Sequence, residues 1–235
     1  MSQFGTTLVT GSGVPRPKEI APREMDKLLH ELCDLIQTRS ITKKAPGEPD
    51  FVLASGAHSG YYCDTKKVTL SPEGAQLTGE ILFNLVDDET QAVGGLTLGA
   101  AFIATAVALV SGQHDRPIYA FTVRDEEKKH GTKEKVAQSF HPDGRDLLCC
   151  GRRVVVVDDV VTKGGSILKA ITEVQERQCE IVAVIALVDR QEGGGEELLR
   201  RGLPYLSLFN ADSDGNLTIN ARLLSRPGVH RVTSS

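Results

Sequence analysis

The sequence predicts an α/β fold built on a parallel sheet flanked by helices. Three observations carry that expectation. Val154 to Val157 is an unbroken β-branched run, the habit of a strand buried on both faces of a parallel sheet. The run passes into Asp158-Asp159 and the turn Thr162-Lys163-Gly164-Gly165-Ser166, after which a helical pattern begins. Strand-like and helix-like segments alternate through the middle of the chain, which argues for parallel strands joined by right-handed crossovers.

Taken in order, residues 1–22 are rich in Gly, Pro, Ser and Thr and read as a flexible tail. Met25, Leu28, Leu29, Leu32, Leu35 and Ile36 recur at helical spacing and predict a helix over 25–38. A proline- and lysine-bearing linker is expected at 42–50, then short strands around a Gly-rich turn at 51–64. Ser71 as N-cap and Pro72 at the first position open a helix over 73–86. Strands are predicted at 92–98, 117–123, 153–157 and 181–188. Helices are predicted at 101–111 and 165–177, the second with Ile167, Leu168, Ile171 and Val174 on one face. The remainder offers a helix start at 196–201, a strand at 204–209 and a polar ending.

Composition excludes several classes. The chain of 235 residues can bury a sizeable core in one domain, expected over 23–235. A net charge of −4 gives no reason to expect nucleic-acid binding. No apolar run approaches the about 18 residues of a membrane helix, and no basic-then-apolar secretory start is visible. Cys33, Cys63, Cys149, Cys150 and Cys179 lack C-x-x-C spacing and read as free thiols of a cytoplasmic protein. Neither Walker loop, G-x-G-x-x-G nor Ser-His-Asp order is present. His30, His58, His114, His141 and His230 show no ligand spacing.

Ligands of parallel sheets bind beyond the carboxyl ends of the strands. At that edge Asp158 and Asp159 meet a glycine loop whose backbone N–H groups, with the positive end of the next helix, suit an anion. Carboxylates for hydroxyls and a loop for phosphate together suit a sugar phosphate. A solvated turn is the plainer alternative for each piece alone. Arg124 to Lys135 holds Arg124, Lys128, Lys129, Lys133 and Lys135 against Asp125, Glu126, Glu127 and Glu134. Charge alone reads this as a solvated face; its start at a strand end reads as a ligand loop.

The stretch 153–166 resembles the phosphoribosyl-pyrophosphate (PRPP) signature of type I phosphoribosyltransferases. Four further segments, 51–64, 94–100, 123–131 and 188–192, match in order. The Arg-x3-Lys-x-His-Gly pattern at 124–131 and the Ser-Gly-x4-Tyr pattern at 55–61 point within that group to the orotate phosphoribosyltransferases. The resemblance spans roughly residues 25 to 210. It implies a type I phosphoribosyltransferase core at about 67–190 with a small hood from segments 23–66 and 191–235. It also implies transfer of phosphoribose from PRPP to orotate, a step toward UMP.

By the same resemblance Lys128, Arg124 and His130 are catalytic groups on a loop closing over pyrophosphate. Asp158, Asp159, Thr162, Lys163, Gly164, Gly165, Ser166 and Lys129 would bind PRPP; Arg190, Thr162 and Tyr62 would bind orotate. The residues themselves leave alternatives: Arg190 paired with Asp189, Tyr61 and Tyr62 as core aromatics, Lys163 on phosphate or in solvent. Mg2+ is the implied cofactor, carried mainly by PRPP without a dedicated protein cage. A homodimer is implied, with loop 124–135 completing the partner's site. Two departures stand out. Asp125 replaces a usual lysine, with Lys129 and Lys133 as candidates to compensate, and Ala54 stands where several relatives carry lysine. They leave open a transferase for another base and a non-catalytic PRPP-binding paralogue.

Overall fold

The structure, a computed structural model, describes residues 22–52, 56, 58–125, 135–138, 144 and 146–224. In chain order its elements are α1 (Pro22–Arg39), β1 (Ile41–Lys43), β2 (Phe51–Val52), β3 (His58–Ser59), β4 (Tyr61–Cys63), α2 (Lys66–Thr69) and α3 (Pro72–Leu85). Then come β5 (Ala92–Leu96), α4 (Gly99–Ser111), β6 (Tyr119–Val123), β7 (Val136–Gln138), β8 (Arg153–Val161) and α5 (Gly165–Glu176). The last are β9 (Glu180–Asp189), α6 (Gly194–Arg200), β10 (Tyr205–Ala211), β11 (Leu217–Ile219) and α7 (Ala221–Leu224).

Seven strands form one sheet in the order β11-β10-β9-β8-β5-β6-β7. The five central strands are parallel; β7 and β11 pair antiparallel at the edges. The valine run explains itself in this frame. Val155 and Val157 pack into the core shared with α1, α3 and α4. Val154 and Val156 pack into the opposite core, with Ile167, Ala170, Ile171 and Val174 of α5. With both faces covered there is no polar alternation to write. Ser71 caps α3 as expected, accepting from the Gly74 N–H at 3.1 Å.

The chain leaves β5 toward β6 through α4 and leaves β8 toward β9 through α5, on opposite faces of the sheet. That reversal opens a crevice between β5 and β8, where open α/β sheets take ligands.

Several boundaries differ from expectation. β8 does not end at Val157 but continues through both aspartates to Val161. The long β9 supplies the reason, pairing Asp158 with Ala186 and Val161 with Asp189. The supposed linker begins with β1, which pairs with β4. The edge strands β7 and β11 have three residues each, too few to show alternation in sequence. The terminal segments meet: the Gln37 side chain donates to the Gly215 carbonyl at 3.1 Å and accepts from the Leu217 N–H at 2.7 Å. All but Pro22 of the expected tail lies outside the described residues.

Candidate active site

The site starts with β8. Because the strand persists past its β5 neighbour, Asp158 and Asp159 stand beside the crevice on alternate faces, Asp158 buried and Asp159 half-buried. Asp158 is 6% exposed. Its burial, then the charge of Asp159, pushes its carboxyl well above the usual carboxylate range. Its Oδ1 accepts the Asp159 N–H at 3.0 Å. Asp159 accepts the Thr65 hydroxyl at 2.8 Å and the Val160 N–H at 3.0 Å. Across the crevice, at the start of α4, Gly99 backs directly onto this carboxylate. A Cβ there would stand 2.2 Å from the Asp159 Cγ, so a side chain and this acid cannot both occupy the place.

The Thr162–Ser166 turn follows. Gly164 is left-handed at φ 81° and forms the N-cap of α5 with no side-chain hydrogen bond. The first N–H groups of the helix are left for an anion, where the helix dipole also favours one. Gly194 supports the turn from behind: its N–H donates to the Thr162 carbonyl at 2.9 Å. A Cβ on Gly194 would come within 2.5 Å of that oxygen and 2.7 Å of the Gly164 nitrogen. Gly165 and Ser166 are exposed, Thr162 half-buried, and Lys163 exposed.

Arg190 follows β9 and is laced to the same edge, its N–H donating to the Val161 carbonyl at 2.9 Å. Its side chain is buried. The guanidinium lies 4.2 Å over the Tyr61 ring and donates to the Ser59 hydroxyl at 2.8 Å. Its Nε sits 2.9 Å from Glu192 Oε1, an ion pair outside hydrogen-bonding geometry. The alternative pairing with Asp189 does not form. That carboxylate instead accepts the Tyr205 hydroxyl at 2.8 Å and the Gln191 N–H at 2.7 Å. A planar guanidinium held over an aromatic ring has the chemistry to take a carboxylate.

A family model described as a phosphoribosyl transferase domain matches residues 65–199. Orotate phosphoribosyltransferase from Aquifex aeolicus is 44% identical over 180 residues, 76% of this chain and 93% of its own. The Nostoc enzyme of the same name is 44% identical over 183 residues, 78% of this chain and 81% of its own. The chain belongs to the orotate phosphoribosyltransferase family. Solved structures agree in fold. Mycobacterium tuberculosis H37Rv orotate phosphoribosyltransferase with Fe(III) dicitrate matches at TM-score 0.62 and 34% identity, covering 78% of this chain and 96% of that one. The same enzyme in complex with PRPP matches at 0.59 and 32%, with the same coverage.

In this member of the family the structure gathers Asp158, Asp159, the Thr162–Ser166 turn and Arg190 at one sheet edge. Lys128, Lys129 and His130, with Lys133 and Ala54, lie outside the described residues. Arg124 is half-buried at the end of β6, its N–H donating to the Lys135 carbonyl at 2.8 Å. Asp125 is exposed and paired with Lys169 of α5 at 2.5 Å. Its charge is met by Lys169, a residue of the expected 165–177 helix that the sequence reading did not weigh as its partner.

Tyr62 is 41% exposed and tilts against Phe51, with ring centroids 6.1 Å apart. The aromatic under Arg190 is its neighbour Tyr61, since adjacent strand residues face opposite ways. Sequence reasoning also missed Thr65, Gly99, Ser59 and Gly194. Each is a partner from a distant segment; Ser59 and Gly99 fell inside matched segments, but as members of a pattern and not as contacts.

Proposed function

We propose that this chain is an orotate phosphoribosyltransferase, joining orotate to the 5-phosphoribosyl group of PRPP with release of pyrophosphate. The observation that carries this reading is the lacing of two sites into one. Backbone bonds from Arg190 to Val161 and from Gly194 to Thr162 hold the carboxylate fork beside the acids and the phosphate turn. The relatives' shared name supplies the base.

The N-terminus of α5 and its turn bind the 5′-phosphate. Asp158 and Asp159 hold the ribose hydroxyls, Asp158 able to donate as well as accept while it keeps its proton. Arg190 holds the orotate carboxylate and orients the ring nitrogen toward the anomeric carbon. Arg124, Lys128 and His130 balance the charge that grows on the departing diphosphate.

Among the described residues no group of three or more His, Cys, Asp or Glu could hold a metal ion by itself. The half-buried Asp159 carboxylate nevertheless fits an Mg2+ arriving with PRPP, since this ion prefers oxygen donors and substrate phosphates. Bound there, it would neutralise diphosphate charge.

A homodimer is part of the proposal. α4 carries no charged residue, and Leu98 and Leu109, 58% and 68% exposed, extend an apolar stripe along its outer face. Such a stripe suits burial against a second copy. No helix of the described residues is long and apolar enough to cross a membrane.

A steady-state assay tests the activity. Orotate should be consumed only with both PRPP and Mg2+ present. Turnover of another base with none of orotate would overturn the reading.

A further inference from the structure

β6 and β7 form a hairpin whose described ends are Asp125 and Lys135. Val123 pairs with Val136, and the Arg124 N–H donates to the Lys135 carbonyl. Both ends are tied to one face of α5. Lys169 Nζ lies 2.5 Å from Asp125 Oδ1, and Lys135 Nζ lies 3.0 Å from Glu173 Oε1. Lys169 and Glu173 are four residues apart and so share a helix face. Glu173 also takes Arg177 at 3.1 Å, and its side chain is 11% exposed. A cavity of about 310 Å³ lies between hairpin and helix, lined by Val123, Arg124, Asp125, Lys135, Lys169 and Glu173 among others. The helix that receives these ties carries the phosphate turn at its own N-terminus.

We infer that Lys169 and Glu173 are positioning residues that fix Arg124 relative to the phosphate turn, so that one helix sets the spacing between the two anion sites. The inference rests on the activity proposed above. Asp125 then has a use. Where the family resemblance implies a lysine, this chain places the acid that completes the tie to Lys169. Both members of that pair are more than half exposed, so the pair adds little to global stability. Its effect is local, on where Arg124 stands.

The test compares Lys169→Gln, the charge-neutral double variant Asp125→Asn/Lys169→Gln, and the swap Asp125→Lys/Lys169→Glu. Titration calorimetry with pyrophosphate and with ribose 5-phosphate reads the two anion sites separately, without catalysis. The first two variants should bind pyrophosphate about two- to five-fold more weakly, the range of an exposed pair. Ribose 5-phosphate binding should be unchanged, and the swap should restore pyrophosphate binding. Glu173→Gln should weaken pyrophosphate binding in the same selective way. Equal losses for both ligands, or a swap as weak as Lys169→Gln, would overturn the positioning role. Lack of orotate turnover in the wild-type enzyme would instead overturn the activity and leave the calorimetry to decide the tie.

Discussion

Replacing Gly99 by alanine displaces Asp159 without removing any side chain assigned to substrate. The added Cβ would sit 2.2 Å from the Asp159 Cγ and 2.4 and 2.5 Å from its oxygens, where ordinary contact begins near 3.4 Å. The carboxylate must retreat by about 1 Å, because Gly99 is anchored at the start of α4 while the acid borders an open crevice. That retreat stretches the 2.8 Å bond from Thr65 beyond hydrogen-bonding range. A misplacement of about 1 Å in a reacting assembly costs on the order of 10²-fold. Gly99→Ala should therefore lower kcat/KM for PRPP about 100-fold. Its melting temperature should move by no more than about 2–4 °C, since the clash is relieved into solvent rather than into the core. Thr65→Val removes the hydrogen bond without the push and should cost about tenfold, the loss of one bond to a charged group. Steady-state kinetics with PRPP varied, alongside thermal melts, reads both. A Gly99→Ala enzyme within threefold of wild type would show that Asp159 does not need its present place, and the ribose contact would fall with it.

Three further outcomes follow from the same geometry. Arg190→Lys should raise KM for orotate far more than KM for PRPP, because a point charge cannot reproduce a stacked, two-pronged fork; equal effects on both would mean a purely structural arginine. Asp158→Asn should weaken PRPP binding yet make the folded protein more stable than wild type near neutral pH. Burial raises the folded-state pKa of Asp158, so its favourable contribution is complete below the ordinary aspartate value of about 3.9 and is lost as pH rises through the raised one. The amide has no such loss, and denaturant midpoints measured from pH 3 upward should diverge in that direction. Lys128→Ala should lower kcat by on the order of 10²–10³. After confirmed subunit exchange with Asp158→Asn/Asp159→Asn, activity should recover to roughly a quarter of wild type if each site draws on two subunits of a twofold dimer; no recovery would place the loop in its own subunit's site.

The sequence by itself determined the parallel α/β sheet with its helical crossovers and pointed to the strand edge at which binding is proposed. A run of valines buried on both faces, followed by acids, glycines and a helix, is written locally and reads locally. It also singled out Asp158, Asp159 and the 162–166 turn, from a β-branched run that passes into acids and glycines, and Arg190, through the family resemblance of 188–192. Tertiary structure decided what crosses between segments. Continuation of β8 through the acids depends on the length of β9. The choice of Tyr61 over Tyr62 beneath Arg190 depends on the pleat of a three-residue strand. Asp125 looked like an electrostatic liability until folding brought Lys169, 44 residues away, to meet it. Gly99 and Thr65 owe their importance to one carboxylate that chain order places far from both. Local pattern encodes which face of an element is buried, whereas pairing between elements is settled only when the packed backbone brings particular side chains within reach.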